Sequence, residues 1–212
     1  MHEIKAPITA IALNCENNRD ERSRYLLVEN RKVENYVDMA LYYARMDAVY
    51  KDYMIAESNL QEVAQQVLLQ NKYYLIQSHV KAEVACPDTV YSDKKWIAFI
   101  LNQLIQNSVK YGRSEGTHIQ IVTKKTKSGV LLWVKDDGIG IPKEELPRIF
   151  EKGFTGTNGR NRERSTGMGL YLCRKLCDKL NIEIRAESAE GKGTEIILMF
   201  PVSEYLTGYR ET

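Results

Sequence analysis

The residues best suited to chemistry stand together in Asp136-Asp137-Gly138-Ile139-Gly140-Ile141-Pro142. They follow a run with strand character, Gly129-Val130-Leu131-Leu132-Trp133-Val134-Lys135, and precede Lys143-Glu144-Glu145-Leu146, whose pattern predicts the start of a helix. A carboxylate at a strand end, followed at once by two glycines, suits a ligand lying against bare backbone. Glycine permits close approach and positive φ, and the acid accepts hydrogen bonds from an amino group. The same residues make an ordinary turn equally well. Upstream, Gln103, Asn107 and Lys110 fall four and three apart on one face of a helix expected over Asp93 to Tyr111. An amide oxygen can ligate magnesium and a lysine one turn on can meet a phosphate; a solvated face is the plainer reading. Downstream, Gly167-Met168-Gly169-Leu170 opens a helix after a loop, Gly153 to Thr166, rich in Gly, Thr, Asn and Arg. Exposed amides at a helix N-terminus form an anion site, or are simply a helix start. Arg160, Arg162 and Arg164 could reach phosphates when the loop closes, although such arginines also serve solubility.

The elements that must position these residues fall into two groups. Ile4, Ile8, Ile11 and Cys15 place an apolar stripe on a first helix, with Pro7 in its second turn. Asp20 is the expected N-cap of a second helix from about Glu21, whose stripe is Leu26, Val33, Val37, Ala40, Leu41, Ala44 and Ala48, with Tyr36, Tyr43 and Tyr50 beside it at seven-residue intervals. This predicts a helical hairpin whose outer face requires a partner. At 1.5 Å per residue the first helix measures roughly 22 Å and the second roughly 45 Å; the mismatch leads us to expect that the chain begins inside a longer first helix. After Tyr53 helices and strands alternate: a helix over Asn59 to Ser78, strands at His79 to Ala85, Thr117 to Lys125 and Val130 to Lys135, a helix over Met168 to Leu180, and strands at Ile182 to Glu187 and Thr194 to Phe200, joined by a turn containing Glu190-Gly191-Lys192-Gly193. The expected class is α+β, with helices covering one face of a mixed sheet.

Composition narrows the function. The chain has 212 residues, 43% of them hydrophobic, enough for a real core. Thirty basic and 28 acidic residues leave a net charge of +2, without the signature of a nucleic-acid or membrane-surface binder. Cys15, Cys86, Cys173 and Cys177 show no metal-binding spacing, and reduced thiols are expected. There is no apolar run near the roughly 20 residues that cross a bilayer, and no signal peptide.

Taken together, Asn107 with Lys110-Tyr111, Asp136-x-Gly138-x-Gly140, Phe150-Glu151-Lys152-Gly153-Phe154, Gly167-x-Gly169-Leu170 and Gly191-x-Gly193-Thr194, in that order, resemble the ATP-binding domain of sensor histidine kinases. That superfamily (GHKL, with the Bergerat ATP-binding fold) includes gyrase, mismatch-repair ATPases and a class of heat-shock chaperones. The resemblance implies that Asp136 binds the adenine amino group, that Asn107 holds magnesium, that Lys110 and Tyr111 contact phosphates, and that Gly153 to Thr166 is an ATP lid. Gln103 stands where the family has a first asparagine, and keeps an amide oxygen for the metal. Ser165 stands where the second glycine box often begins with Gly.

His2-Glu3-Ile4-Lys5-Ala6-Pro7 is similar to the phosphoacceptor box of these kinases, so the resemblance covers essentially the whole chain. It implies a dimerisation and phosphotransfer hairpin over residues 1–52, half of a dimeric four-helix bundle, an ATP-binding catalytic domain over 53–203, and a tail over 204–212. His2 would attack the γ-phosphorus through one ring nitrogen while Glu3 accepts the proton leaving the other. A response-regulator aspartate would then take the phosphoryl group. A terminal histidine can also be an accident of the chain end, and a GHKL-type binding or scaffold module without autokinase activity is the alternative function. Ala6 replaces the Thr or Asn that orients water for dephosphorylation, which puts phosphatase activity in doubt. The short hairpin, with Glu151 to Gly156 and Ser165 to Leu172, is similar to intramembrane-sensing kinases that answer peptide antibiotics. That implies the cytoplasmic domain of a bacterial plasma-membrane protein, with an ABC transporter as partner.

Overall fold

A computed structural model of the chain describes residues 2–18, 20–45, 54–157 and 166–202. It divides into two compact units, Met1–Lys51 and Asp52–Thr212. No helix among the described residues is long and apolar enough to cross a membrane.

The first unit is an antiparallel pair, α1 (His2–Asn18) and α2 (Glu21–Arg45). Asp20 starts α2 as expected. Its Oδ1 accepts from the Ser23 amide at 2.6 Å, a bond that also holds the Asp20 carboxyl below its ordinary pKa. Across the pair, Asn30 donates to the Ile8 carbonyl at 2.8 Å and Lys5 meets Asp38 at 2.6 Å. The seam buries Ile8 and Cys15 of α1 with Val28 and Met39 of α2. Ile11 was expected in the α1 stripe but is 49% exposed, because the buried line steps directly from 8 to 15, one heptad. The α2 stripe also departs from this seam: Leu26 and Val33 are exposed, as are Tyr36 and Tyr43. At about 100° per residue, Leu26 and Val33 lie on the far side of α2 from Val28 and Met39. Residues 46–53, including Ala48 and Tyr50, lie outside the described residues.

The second unit is built on a five-stranded sheet in the order β2-β4-β5-β7-β6. Its strands are β2 (Val80–Ala85), β4 (Thr117–Thr126), β5 (Gly129–Asp136), β6 (Glu183–Ala189) and β7 (Gly193–Pro201). β2 runs parallel to β4, and the remaining pairs are antiparallel. Alternation leaves Ile119, Ile121, Leu132, Val134, Ile196 and Leu198 buried on one sheet face. Three helices supply the rest of the core: α3 (Leu60–Gln70) through Leu60, Val63 and Val67, α5 (Lys94–Lys110) through Ile97, Leu101, Leu104 and Ile105, and α6 (Gly169–Lys179) through Leu172 and Leu176.

Three sequence expectations change. The helix over Asn59 to Ser78 is two, α3 and α4 (Lys72–Gln77), broken at Asn71. The buried Asn71 side chain donates to the Val67 carbonyl and to Asn102 Oδ1, both at 2.8 Å, competing with the backbone for helix carbonyls. Strands β1 (Ala56–Asn59) and β3 (Thr89–Ser92) form a separate two-stranded ribbon that was not expected. The helix expected at Lys143 is only a 3-10 turn, Leu146–Arg148; Pro147 has no N–H to donate to the Lys143 carbonyl, the bond an α-helix begun at Lys143 would need.

Asp93 ties this unit's start to its main helix. Buried, it accepts from the Lys95 and Trp96 amides as the cap of α5, and from the Met54 amide at 2.9 Å. Asp93→Ala is expected to cost about 2 kcal/mol. Both tryptophans, Trp96 and Trp133, lie in this unit, so their fluorescence during urea unfolding reads that loss; an unchanged midpoint would contradict the cap.

Candidate functional site

Asp136 is the last residue of β5 and pairs with Thr194 at the start of β7. α5 crosses above them and brings in Ser108. The Ser108 hydroxyl donates to Asp136 Oδ2 at 2.8 Å, while Oδ1 accepts from the Gly138 amide at 3.0 Å and the Thr194 amide at 3.3 Å. Burial pushes the Asp136 carboxyl above its ordinary pKa; these three bonds oppose the rise and neighbouring Asp137 adds to it. An ionised carboxylate offers about four acceptor positions, so three donors leave one for a ligand.

Asp136 lines a cleft of about 770 Å³, its open mouth included. Leu104, Val134, Ile141, Ile149 and Ile196 are among its walls, with Asp136, Ser108 and Thr194 at its polar end. An apolar slot ending in a few convergent polar groups suits a flat heteroaromatic ring carrying an amino group. The backbone beside it is tightly packed. Gly193 has φ +89°, and a Cβ there would lie 1.9 Å from the Asp136 carbonyl oxygen, so only glycine serves.

Of the sequence-derived residues, Asn107, Tyr111, Asp136, Gly140, Phe154, Leu170 and Thr194 line this cleft. Gly138 contributes its amide to Asp136. Gly191 donates to the Ile139 carbonyl at 2.7 Å, and Gly167 accepts from the Gly153 amide at 3.0 Å, so these glycines shape the rim through backbone. Lys110 sits with Nζ 5.9 Å from the Tyr111 ring centroid, and Phe150 is half-buried. Neither lines the cleft. Gln103 is not among the lining residues either. It is buried, and a Cβ on Gly169 would lie 2.8 Å from its Oε1, which places the amide beneath the start of α6. Arg160, Arg162, Arg164 and Ser165 lie outside the described residues. His2 and Glu3 open α1 in the first unit.

Sequence reasoning missed Ser108 and Glu145. Ser108 had a signal: it continues the 101-104-105 core face of α5, where a hydroxyl needs a partner. Glu145 had none. Its carboxylate accepts from the Thr157 amide and hydroxyl at 2.8 and 2.5 Å, fastening the beginning of the loop at the cleft mouth.

Residues 92–204, just over half of the chain, match the family of histidine kinase-, DNA gyrase B- and HSP90-like ATPases. The chain belongs to that family. Among its relatives, the sensor protein kinase GraS of Staphylococcus aureus is 36% identical over 208 residues, covering 95% of this chain and 59% of GraS. The chain therefore spans less than two thirds of that relative's length. Two solved structures share the fold. Full-length ShkA in complex with AMPPNP has a TM-score of 0.67 at 20% identity, over 94% of this chain and 44% of that one. Histidine kinase ThkA in complex with response regulator protein TrrA has a TM-score of 0.61 at 23% identity, over 95% and 59%.

Burial of Asp136 carries a consequence for stability. The folded protein holds this proton more tightly than the unfolded chain, so stability falls as pH rises from the ordinary carboxylate range through the raised pKa. In Asp136→Asn the amide oxygen can take the Gly138 and Thr194 donors while its NH₂ faces Ser108. The ligand-free variant is expected to melt higher than the parent at neutral pH, and the difference should shrink on acidification. A variant several degrees less stable at neutral pH would contradict this.

Proposed function

We propose that the chain is the catalytic core of a sensor histidine kinase, which transfers the γ-phosphoryl group of ATP to His2 and hands it to an aspartate of a response regulator. The observation that carries this is the Asp136 carboxylate, held by three donors at the end of an apolar slot with one acceptor position open. An adenine amino group completes that set, and Val134, Ile141 and Ile196 offer its ring apolar surface. Asn107 and Tyr111 stand on the same cleft, on the α5 side. Among the described residues no group of three His, Cys, Asp or Glu could hold a metal. The Asn107 amide oxygen, on the cleft wall, is the protein ligand proposed for magnesium, the rest being phosphate and water oxygens. Bound there, the ion would neutralise charge on the phosphate chain. Lys110, Tyr111 and the loop arginines would meet the phosphates, and the glycines at Gly167 and Gly169 would present bare amides at the start of α6.

The two units take separate roles in the proposal: a phosphotransfer hairpin over residues 1–52, a catalytic domain over 53–203 and a tail over 204–212. Glu3, next to His2, would accept its second ring proton as the imidazole becomes a nucleophile. The exposed line of Leu26, Val33, Tyr36 and Tyr43 supports a homodimer, because a second hairpin laid on it completes a four-helix bundle. GraS supports the kinase assignment, ShkA with AMPPNP supports ATP as donor, and ThkA with TrrA supports a response regulator as recipient. Membrane anchorage of the parent protein and an ABC transporter partner rest on the resemblance to intramembrane-sensing kinases alone. Ala6, lacking a hydroxyl or amide, favours a kinase with little phosphatase activity.

Incubation with labelled ATP and magnesium tests the proposal. An acid-labile, alkali-stable label is expected, lost in His2→Ala and kept in His79→Ala and His118→Ala. A protein that binds nucleotide yet stays unlabelled would instead be a nucleotide-dependent binding module.

A further inference from the structure

The three donors that hold the Asp136 carboxylate come from three separate segments: Ser108 from α5, Gly138 from the loop after β5, and Thr194 from the start of β7, just past the β6–β7 turn. Nothing in the carboxylate's own bonds fixes those segments to one another. Arg113 does. It lies just beyond α5, its amide held by Thr117 Oγ1 at 2.8 Å, and its guanidinium is exposed on the protein surface. Nε donates to the Asp137 carbonyl at 2.7 Å and approaches that of Gly138 at 3.5 Å, while Nη2 donates to the Gly191 carbonyl. One planar fork thus spans the loop and the turn, from a backbone position three residues past the end of α5. Two backbone bonds close the same junction, Gly191 amide to Ile139 carbonyl at 2.7 Å and Ile139 amide to Tyr111 carbonyl at 3.0 Å.

We propose that Arg113 is a positioning residue for adenine recognition, clamping the loop that carries the Gly138 amide to the turn that leads into Thr194, and so holding the two amides that aim Asp136 at the exocyclic amino group. The inference rests on the reading of the cleft as an adenine site. Arg113 is not among the residues that line the cleft, and its guanidinium bonds all go to backbone carbonyls, so its effect passes through backbone. Lysine cannot substitute fully, since a single ammonium lacks the planar fork that reaches two segments at once. The carbonyls at Asp137 and Gly191 belong to exposed residues, so water can satisfy them when the side chain is removed, and the unit should stay folded.

The test compares binding of ADP and of IDP, whose hypoxanthine base carries an oxygen where adenine has its amino group. Parent protein, Arg113→Ala, Arg113→Lys and Asp136→Asn are measured by calorimetry, with thermal melts as the folding check. The parent should prefer ADP. Arg113→Ala should weaken ADP binding on the order of tenfold, the scale of one charge-assisted hydrogen bond, and IDP binding much less, so that the ratio contracts. Arg113→Lys should recover part of it. Equal weakening of both nucleotides, or an unchanged ratio in a parent that discriminates, overturns the role of Arg113 alone. A parent that does not discriminate, with Asp136→Asn no different, overturns the adenine reading and this inference with it.

Discussion

A carboxylate drawn out of water at the end of a central strand has to be compensated, and the compensation of Asp136 organises much of the second unit. Its charge is disfavoured by burial, yet it sits at the junction of β5 and β7 with donors converging from three segments. Each donor constrains an element. Ser108 requires α5 to cross the strand ends at that register. The Thr194 amide requires β7 beside β5, and the Gly138 amide requires the chain to double back directly after the acid. What remains is one uncompensated acceptor position at the head of an apolar slot. A residue serving stability alone would have been fully paired or replaced by an apolar side chain.

The hairpin obeys a different constraint. Two helices that share a seam of a few residues, Ile8, Cys15, Val28 and Met39, bury little apolar surface. The far side of α2 carries a second apolar line that its own partner helix does not cover. Such a pair gains stability when another surface covers that line, which is what the proposed homodimer would supply. The ATPase-type unit, with its sheet, three covering helices and large buried core, has no comparable need.

Periodicity in the sequence carried the strongly patterned elements. The helices at Lys94–Lys110 and Gly169–Lys179 and the strands β4, β5, β6 and β7 all lie close to their expected positions, because each has one buried face that imposes its period. Short elements without that pattern were not legible. β1 and β3 are four residues each, and the Asn71 break depends on a partner, Asn102, 31 residues away. In the site, the glycines and the acid were legible because backbone approach restricts residue type. Gln103 was read on a polar face that lines a cleft or meets water, whereas the fold buries it beneath the start of α6. Arg113 carried no sequence signal, since its three acceptors are carbonyls, which leave no mark on residue identity.

The central claim is that the slot ending at Asp136 receives adenine. Methyl-labelled protein titrated with ATP and examined by NMR for intermolecular nuclear Overhauser contacts tests it most directly. Adenine ring protons should show contacts to methyls of Leu104, Val134, Ile141 and Ile196, with none to the exposed Leu69 and Ile76 on the outer surface of α3 and α4. Contacts confined to those outer methyls, or an adenine ring without contacts in a protein saturated with nucleotide, would contradict the assignment.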